Sequence, residues 1–192
     1  LYNYADTFLY FNNIPAERML NQARRWCLIS LSLLLIPTVL AWAAKFGPAA
    51  MAAAALLCAF CPPFLSNSAL VTTDSAAAIF FFIVFWLVGG RQRSRWTWAL
   101  AGLVLGLALA SKFNMIALPA ILAAGLALEW RLTARAPLRI YDAAVLVCAA
   151  FLVLAGVYRF KGLPLYWEGL RETVMRLGEG RASFLAGAYS ER

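Results

Sequence analysis

Long apolar blocks alternate with short polar connections along most of the chain, and six such blocks stand out, near residues 26–44, 48–65, 75–90, 96–111, 113–129 and 140–158. A backbone surrounded by hydrocarbon must satisfy its own polar groups, which a helix does and an isolated strand does not. The pattern therefore predicts an all-α fold, a polytopic transmembrane bundle of about six spans with short interfacial helices on the extracytoplasmic side. Several blocks are nearer to ~15 residues than to the ~20 that a bilayer core asks for, so either the helices outrun the blocks or the local membrane is thin.

Prolines, tryptophans and small residues add detail. Pro48 suits a first helical turn, Pro62 and Pro63 end a helix, and Pro37 and Pro119 fall inside spans where a kink is expected. Trp96, Trp98 and Trp130 sit near block ends, the place of interfacial anchors. Gly102 and Gly106 form a GxxxG pair, extended by Ala110, that lets one helix face approach a neighbour closely, and the alanines of 49–55 permit the same.

The flanks are mixed. Ahead of the first block, Pro15 is placed to open a short helix running through Ala23. Arg18, Asn21 and Arg25 then share one polar face, as a helix lying at the membrane surface requires. Past Tyr158, the apolar positions Trp167, Leu170, Val174 and Leu177 keep helical spacing, with Glu168, Arg171, Glu172 and Arg176 off the stripe. They predict an amphipathic surface helix, followed by a loop from Gly178 to the end. The expected organisation is an outer loop end with an interfacial helix (1–25), a transmembrane bundle (26–158) and a second outer loop with its amphipathic helix (159–192). The chain opens at Leu1 without an initiator Met and stops at Arg192 without a closing element, so it is expected to be an internal piece of a longer protein.

Composition agrees with lipid as the main solvent: 64% of the 192 residues are apolar and 14% charged, far from the mix of a soluble domain. The net charge of +8 raises nucleic acid as a partner, but the basic residues are split among short connections and form no continuous face, which excludes it. With six spans, Lys45, Arg91, Arg93, Arg95, Arg131, Arg135 and Arg139 share one side, and the positive-inside rule makes that side cytoplasmic. The opposite side has Lys112 in its inner loops and Arg18, Arg24, Arg25, Arg159 and Lys161 on its flanks, an excess of outward cations suited to an anionic ligand. All four cysteines lie inside apolar runs and read as small hydrophobes, including the Cys58 and Cys61 pair. The absence of histidine removes Ser-His, Cys-His and most zinc chemistry from this segment.

Two ionisable residues interrupt apolar sequence at helix ends, Asp74 and Lys112, and charge at membrane depth is costly enough to make function the default hypothesis. The plainer alternatives are that Asp74 complements the start of its helix and that Lys112 snorkels. For Arg18, Arg24 and Arg25 the plain alternative is contact with anionic headgroups. Charges within spans also mark the paths of a transporter or channel, which is the competing class, although no internal repeat supports it.

Four stretches resemble a known group: Phe8-Leu9-Tyr10 with Ala23-Arg24, residues 62–74 (PPFLSNSALVTTD), residues 101–119 (AGLVLGLALASKFNMIALP) and residues 180–190 (GRASFLAGAYS). In this order they resemble the interior of the protein O-mannosyltransferase-like, or glycosyltransferase family 39-like, members of the GT-C superfamily. The resemblance implies an enzyme of the bacterial plasma membrane, active on its extracytoplasmic face. It would move a sugar from a polyprenyl phosphate, with inversion, to a hydroxyl on a lipid, protein or glycan acceptor. An acidic residue of the first outer loop acts as base in such families, and that residue is expected upstream of Leu1, leaving this fragment inactive alone. Asp74 matches the family's second-loop aspartate and takes a supporting role, while Lys112, Arg24, Arg25 and Arg18 are candidates for the donor phosphate. No cofactor is assigned, no metal ligands are named, and a part for a divalent metal is left open. The family often has a histidine before the last matching glycine; here residues 176–181 have none, which puts a role for that segment in doubt.

Overall fold

The structure, a computed structural model, describes residues 11, 13–70, 72–90, 93–134, 138–178, 183–185 and 188–190. The described residues are helical apart from turns and one short antiparallel strand pair. The chain divides into two compact units, Leu1–Arg93 and Ser94–Arg192.

In the first unit, α1 (Ala16–Ala43) runs from Pro15, whose carbonyl accepts from the Arg18 and Met19 amides at 2.9 and 3.3 Å, and ends in a 3-10 turn, Ala44–Phe46. The polar Arg24-Arg25 pair marks no break between an interfacial helix and the first span. Nothing between Ala16 and Pro37 lacks an amide or favours another backbone shape, so the helix continues through both, which corrects the two-part expectation. Gly47, at φ 99°, turns the chain into α2 (Pro48–Ala59) with Pro48 in its first turn, as expected.

The expected span 48–65 is divided. Cys61 precedes a proline and is extended (φ −75°, ψ 105°), and Pro62 and Pro63 then start α3 (Pro62–Ala69), since proline crowds the residue before it out of helix but suits the first turn of the next. α4 (Asp74–Val88) closes the unit, its end at Gly89 tied by an amide bond to the Phe85 carbonyl at 2.7 Å. α1 packs against α2, α3 and α4, and Trp42 meets Phe82 with ring centroids 4.9 Å apart. Burial is uneven. α4 covers Ser75, Ala77, Ile79, Val84 and Val88, whereas α1 buries only Leu31 and Thr38 and α2 buries none of its described residues. The hydroxyl of Thr38 is satisfied within the helix by the Leu34 carbonyl at 2.6 Å.

The second unit starts on a capping box, in which the Ser94 hydroxyl accepts from the Thr97 amide at 3.2 Å and the Thr97 hydroxyl from the Ser94 amide at 3.4 Å. α5 (Arg95–Ser111) follows, then a 3-10 turn (Phe113–Ala117), α6 (Leu118–Thr133), α7 (Ile140–Val157), α8 (Leu163–Gly178) and the antiparallel pair β1 (Ser183–Leu185) and β2 (Ala188–Ser190). The hairpin stands where composition predicted only loop. Pro119 lies in the first turn of α6, within the segment Phe113–Thr133 and just after its 3-10 turn, so it starts the α-helical part of that segment.

The closest helix pair is α5 with α7, and the GxxxG pair explains it. Gly102 lies against the Leu146 carbonyl and Ala149, and Gly106 against the Ala150 carbonyl and Val153. A β-carbon on Gly106 would stand 2.6 Å from that carbonyl oxygen, well inside van der Waals contact, so only glycine permits the approach. Trp98, expected as an interfacial anchor, is 1% exposed in this seam, while Trp96 and Trp130 are open as anchors require. Among the described residues three segments are long and apolar enough to cross a membrane: Ala16–Phe46, Phe113–Thr133 and Ile140–Val157. Pro48–Ala59, Asp74–Val88 and Arg95–Ser111 are shorter apolar helices of 12, 15 and 17 residues, below the ~20 of a full crossing.

Candidate functional site

Lys112 stands where α5 stops. The Ser111 hydroxyl donates back to the Ala108 carbonyl at 2.7 Å, and Lys112 swings to an extended backbone (φ −155°, ψ 134°). Its carbonyl then accepts the Met115 amide at 3.0 Å, which winds the 3-10 turn. The break is braced by aromatic rings. Phe113 packs on Tyr166 with centroids 5.5 Å apart, Tyr158 meets the same ring edge-on at 5.5 Å, and Gly169 gives Phe113 room against α8.

The α5–α7 seam carries this rim further. From Gly102 to Gly106 the partners advance by the same interval, from Ala149 to Val153, so the two helices run parallel. At the break itself, the contacts of the Tyr166 ring with Phe113 and Tyr158 bring the residue after Lys112 beside the turn after α7. There Arg159 and Phe160 both adopt left-handed backbone (φ 52° and 59°), a conformation that costs a non-glycine residue about 1–3 kcal/mol. The turn is held by amide bonds from Phe160 to the Ala155 carbonyl (2.7 Å) and from Gly162 to the Tyr158 carbonyl (2.9 Å). Arg159 and Lys161 are exposed on it.

Tyr166 is the anchor of this junction at 3% exposure. Burial, and then the neighbouring Tyr158, push its phenol above the ordinary tyrosine range. The covered side of α8 is centred on Tyr166, while Trp167 and Val174 of the expected stripe of Trp167, Leu170, Val174 and Leu177 are exposed. The side chain of Leu177 lies outside the described residues.

Asp74 opens α4 directly after Thr73, whose carbonyl accepts the Ala77 amide at 2.9 Å. Its carboxylate is exposed in the first turn, where negative charge complements the positive end of the helix. Beside it, Ser75 is 5% exposed and its hydroxyl has no hydrogen-bond partner among the described residues. The residue a turn behind it lies ahead of the helix, whereas Thr38 in mid-helix has the Leu34 carbonyl to receive its proton.

Arg18, Arg24 and Arg25 are exposed on the opening turns of α1, with the Arg24 guanidinium 3.5 Å from the Asn21 side-chain oxygen. These arginines and Asp74 belong to the first unit, and Lys112 to the second. Cys58 and Cys61 carry free thiols. Among the described residues no group of three or more His, Cys, Asp or Glu side chains gathers as a metal site.

A model of the dolichyl-phosphate-mannose-protein mannosyltransferase family matches residues 18–155. The chain belongs to that family. The family is one of glycosyltransferases of the GT-C class, and with its apolar helices this mannosyltransferase-family chain is an integral membrane protein. No curated protein and no solved structure matches it. The matched region takes in Arg18, Arg24, Arg25, Asp74 and Lys112 and stops short of Arg159 and α8. Of the stretches that suggested the resemblance, Phe8-Leu9-Tyr10 lies outside the described residues, and the last one is described only at its two strands.

Two features escaped the reading of the sequence. Ser75 counted as the start of an apolar block, and only coordinates reveal a hydroxyl that is both covered and unpartnered. Tyr166 lacked weight because it lies off the expected stripe; its spacing from Tyr158, two turns of helix if the chain had continued straight, gave no hint that a left-handed turn would fold one ring onto the other.

Proposed function

We propose that the protein is a glycosyltransferase that moves a sugar from a polyprenyl-phosphate donor to a hydroxyl-bearing acceptor on the extracytoplasmic face of a membrane, with inversion at the sugar carbon. The family match over residues 18–155 is the observation that carries this reading. In it, the six apolar segments each cross or nearly cross the bilayer, α3 and α8 lie at its outer surface, and Asp74 and Lys112 each stand at the extracytoplasmic end of their own helix. As the sugar leaves, negative charge grows on the donor phosphate. Cations fixed in advance stabilise that charge more in the transition state than before it, which is what accelerates a reaction. Lys112, held at a helix break by the Phe113–Tyr166 contact, is suited to that task, with Arg24, Arg25 and Arg18 as further contacts for the phosphate. Asp74 is given a supporting role toward the acceptor and not that of the base.

The test supplies the protein, expressed from its complete reading frame, with radiolabelled polyprenyl-phosphate sugars. Transfer to an acceptor with at least one of them is expected, and a folded preparation inactive with all of them overturns the proposal. Lys112→Ala and Asp74→Asn should each lower turnover by about tenfold or more with no loss of folded protein, the size expected when one charge that acts in the transition state is removed. Solute flux through liposomes that needs no lipid-linked sugar would favour a transporter instead.

A further inference from the structure

Cys58 and Cys61 take no part in the functional reading, and the fold gives them a setting that an apolar block did not foretell. A continuous helix would carry both as small hydrophobes. Instead α2 ends between them, with Ala59 its last residue and Phe60 turning out at φ −111°, ψ 14°. Cys61 is extended, and Pro62 begins α3 directly behind it. Both thiols are free and half-buried, and the Phe60 side chain between them is 74% exposed, so the corner is open to reagents.

The backbone fixes how far apart the two cysteines stand. A helical Ala59 followed by Phe60 at those angles has the geometry of a type I turn, whose first and last Cα atoms lie within about 7 Å of each other. Disulfides span Cα separations of about 4.4–6.8 Å. The bonds that hold the corner run outside the pair: the Phe60 amide donates to the Leu56 carbonyl at 3.0 Å, and the Leu65 amide to the Cys61 carbonyl at 3.0 Å. A bond between the two sulfurs would displace neither. Beneath the corner, packing is thin. A cavity of about 330 Å³ lies between α1 and the α2–α3 pair, lined by Ser32, Leu35 and Val39 on one side and by Ala55, Cys58 and Leu65 on the other. The turn itself therefore carries much of the restraint between α2 and α3.

We propose that Cys58 and Cys61 form a thiol–disulfide site that closes across this corner and clasps α3 to the end of α2. One thiolate of the pair attacks a sulfur of an external disulfide, small or carried by a protein, forming a mixed disulfide and releasing the first external thiol. The second thiolate then attacks the cysteine sulfur of that mixed disulfide, closes the Cys58–Cys61 bond and releases the other external thiol. The pair loses two electrons and two protons, and the external disulfide takes up both. Thiolates are the attacking species, and access decides which of them react. Closure depends on the turn alone. That an oxidant meets the pair in the cell rests on the functional reading, which puts this corner at the extracytoplasmic end of α2, on the side where thiol pairs are oxidised.

The experiment uses the protein expressed from its complete reading frame. Cells are quenched in acid, free thiols are blocked with light N-ethylmaleimide, disulfides are reduced, and the released thiols take a heavy maleimide that peptide mass spectrometry reads at each cysteine. Cys58 and Cys61 are expected to be heavy in equal proportion. Cys27 and Cys148, which have no second cysteine within a turn of them in the sequence, should be light. Titrated in lipid nanodiscs with reduced and oxidised glutathione, the same protein should open and close the pair reversibly, the closed peptide lacking two hydrogens of the dithiol. Cys58→Ala should lower heavy label on Cys61 by about tenfold or more, and Cys61→Ala that on Cys58, because each removes the thiolate that completes the exchange. Amide exchange across residues 60–67 should be several-fold slower in the oxidised protein than in the reduced one.

Cysteines that stay light in the most oxidising buffer, heavy label on Cys61 that survives Cys58→Ala, or equal amide exchange in the two forms would each overturn the inference. A pair that closes in buffer but is reduced in cells would overturn its exposure to an oxidising compartment. Closure needs no lipid-linked sugar, so its failure is separable from failure of the functional reading. A protein that transfers sugar while both cysteines resist oxidation refutes the clasp alone. One whose pair closes as expected yet transfers from no lipid-linked sugar refutes the reaction and leaves the thiol site standing.

Discussion

The two units use small residues to opposite effect. In the second, Gly102 and Gly106 bring α5 against the carbonyls of α7 with no space for a β-carbon. In the first, the alanine run of α2 leaves every described residue of that helix at least partly open. Both stretches read as licences for close approach. The difference is that a glycine pair one turn apart removes side-chain bulk along one line of the helix. A run of alanines lowers the bulk equally all round and singles out no face. Close packing in a membrane therefore follows from where bulk is missing more than from how much.

Substitutions can break this contrast. Gly106→Leu should be the most damaging, because the added side chain meets a backbone carbonyl that cannot move without shifting α7. A loss above about 3 kcal/mol, seen as absence of a folded peak in detergent, is expected. Ala53→Leu, on an exposed position of α2, should change the thermal midpoint by no more than about 0.5 kcal/mol equivalent. Equal damage from both would mean that the alanine face is as closely packed as the glycine seam. Tyr166→Ala comes next. Removing the buried ring should release α8 by about 3 kcal/mol, read as faster amide exchange across residues 163–175, with the α5–α7 seam still protected.

Ser75→Ala sharpens the comparison from the other unit. Its hydroxyl is covered and has no partner among the described residues, so deletion should leave stability unchanged or raise it by up to about 1 kcal/mol. Destabilisation would show that the hydroxyl is satisfied, and unchanged stability with reduced sugar transfer would give it a ligand. The smallest expected effect concerns pH. The Tyr166 phenol titrates near about 10 in an unfolded chain and higher in the folded one. Above about pH 10 the unfolded chain gives up a proton that the folded state retains, so stability falls with rising pH there and is unaffected below. Tyr166→Phe should remove that alkaline loss from α8 while keeping its ring contacts; an unaltered alkaline profile would place the titration elsewhere.

Much of this was legible in the chain itself. The helices, the stop at Lys112, the glycine seam and the family all follow from apolar blocks, single charges and short motifs. Helix continuity was harder to read. The Arg24-Arg25 pair interrupts the apolar pattern without interrupting the backbone, because charge governs where a helix sits and not whether its amides stay paired. Conversely, Pro62 and Pro63 sit in an apolar block but break the helix ahead of them, since ring geometry acts whatever the solvent. Trp98 was misplaced because its position near a block end does not reveal which way it points. The approach of the Lys112 break to the turn at Arg159 was beyond reach, for it depends on ring contacts and on the pairing of two helices remote in sequence.

That pairing behaves as a caliper. From Gly102 to Ser111 and from Ala149 to Val157 both arms are continuous helix, so the break at Lys112 and the turn at Arg159 are measured off from one common fulcrum. A residue inserted in either arm would swing its cation by about 100° and displace it by about 1.5 Å relative to the other. The connection between the arms can change length with no such penalty. Insertions and deletions are thus constrained within 102–112 and 149–159 and tolerated in the loop between α6 and α7.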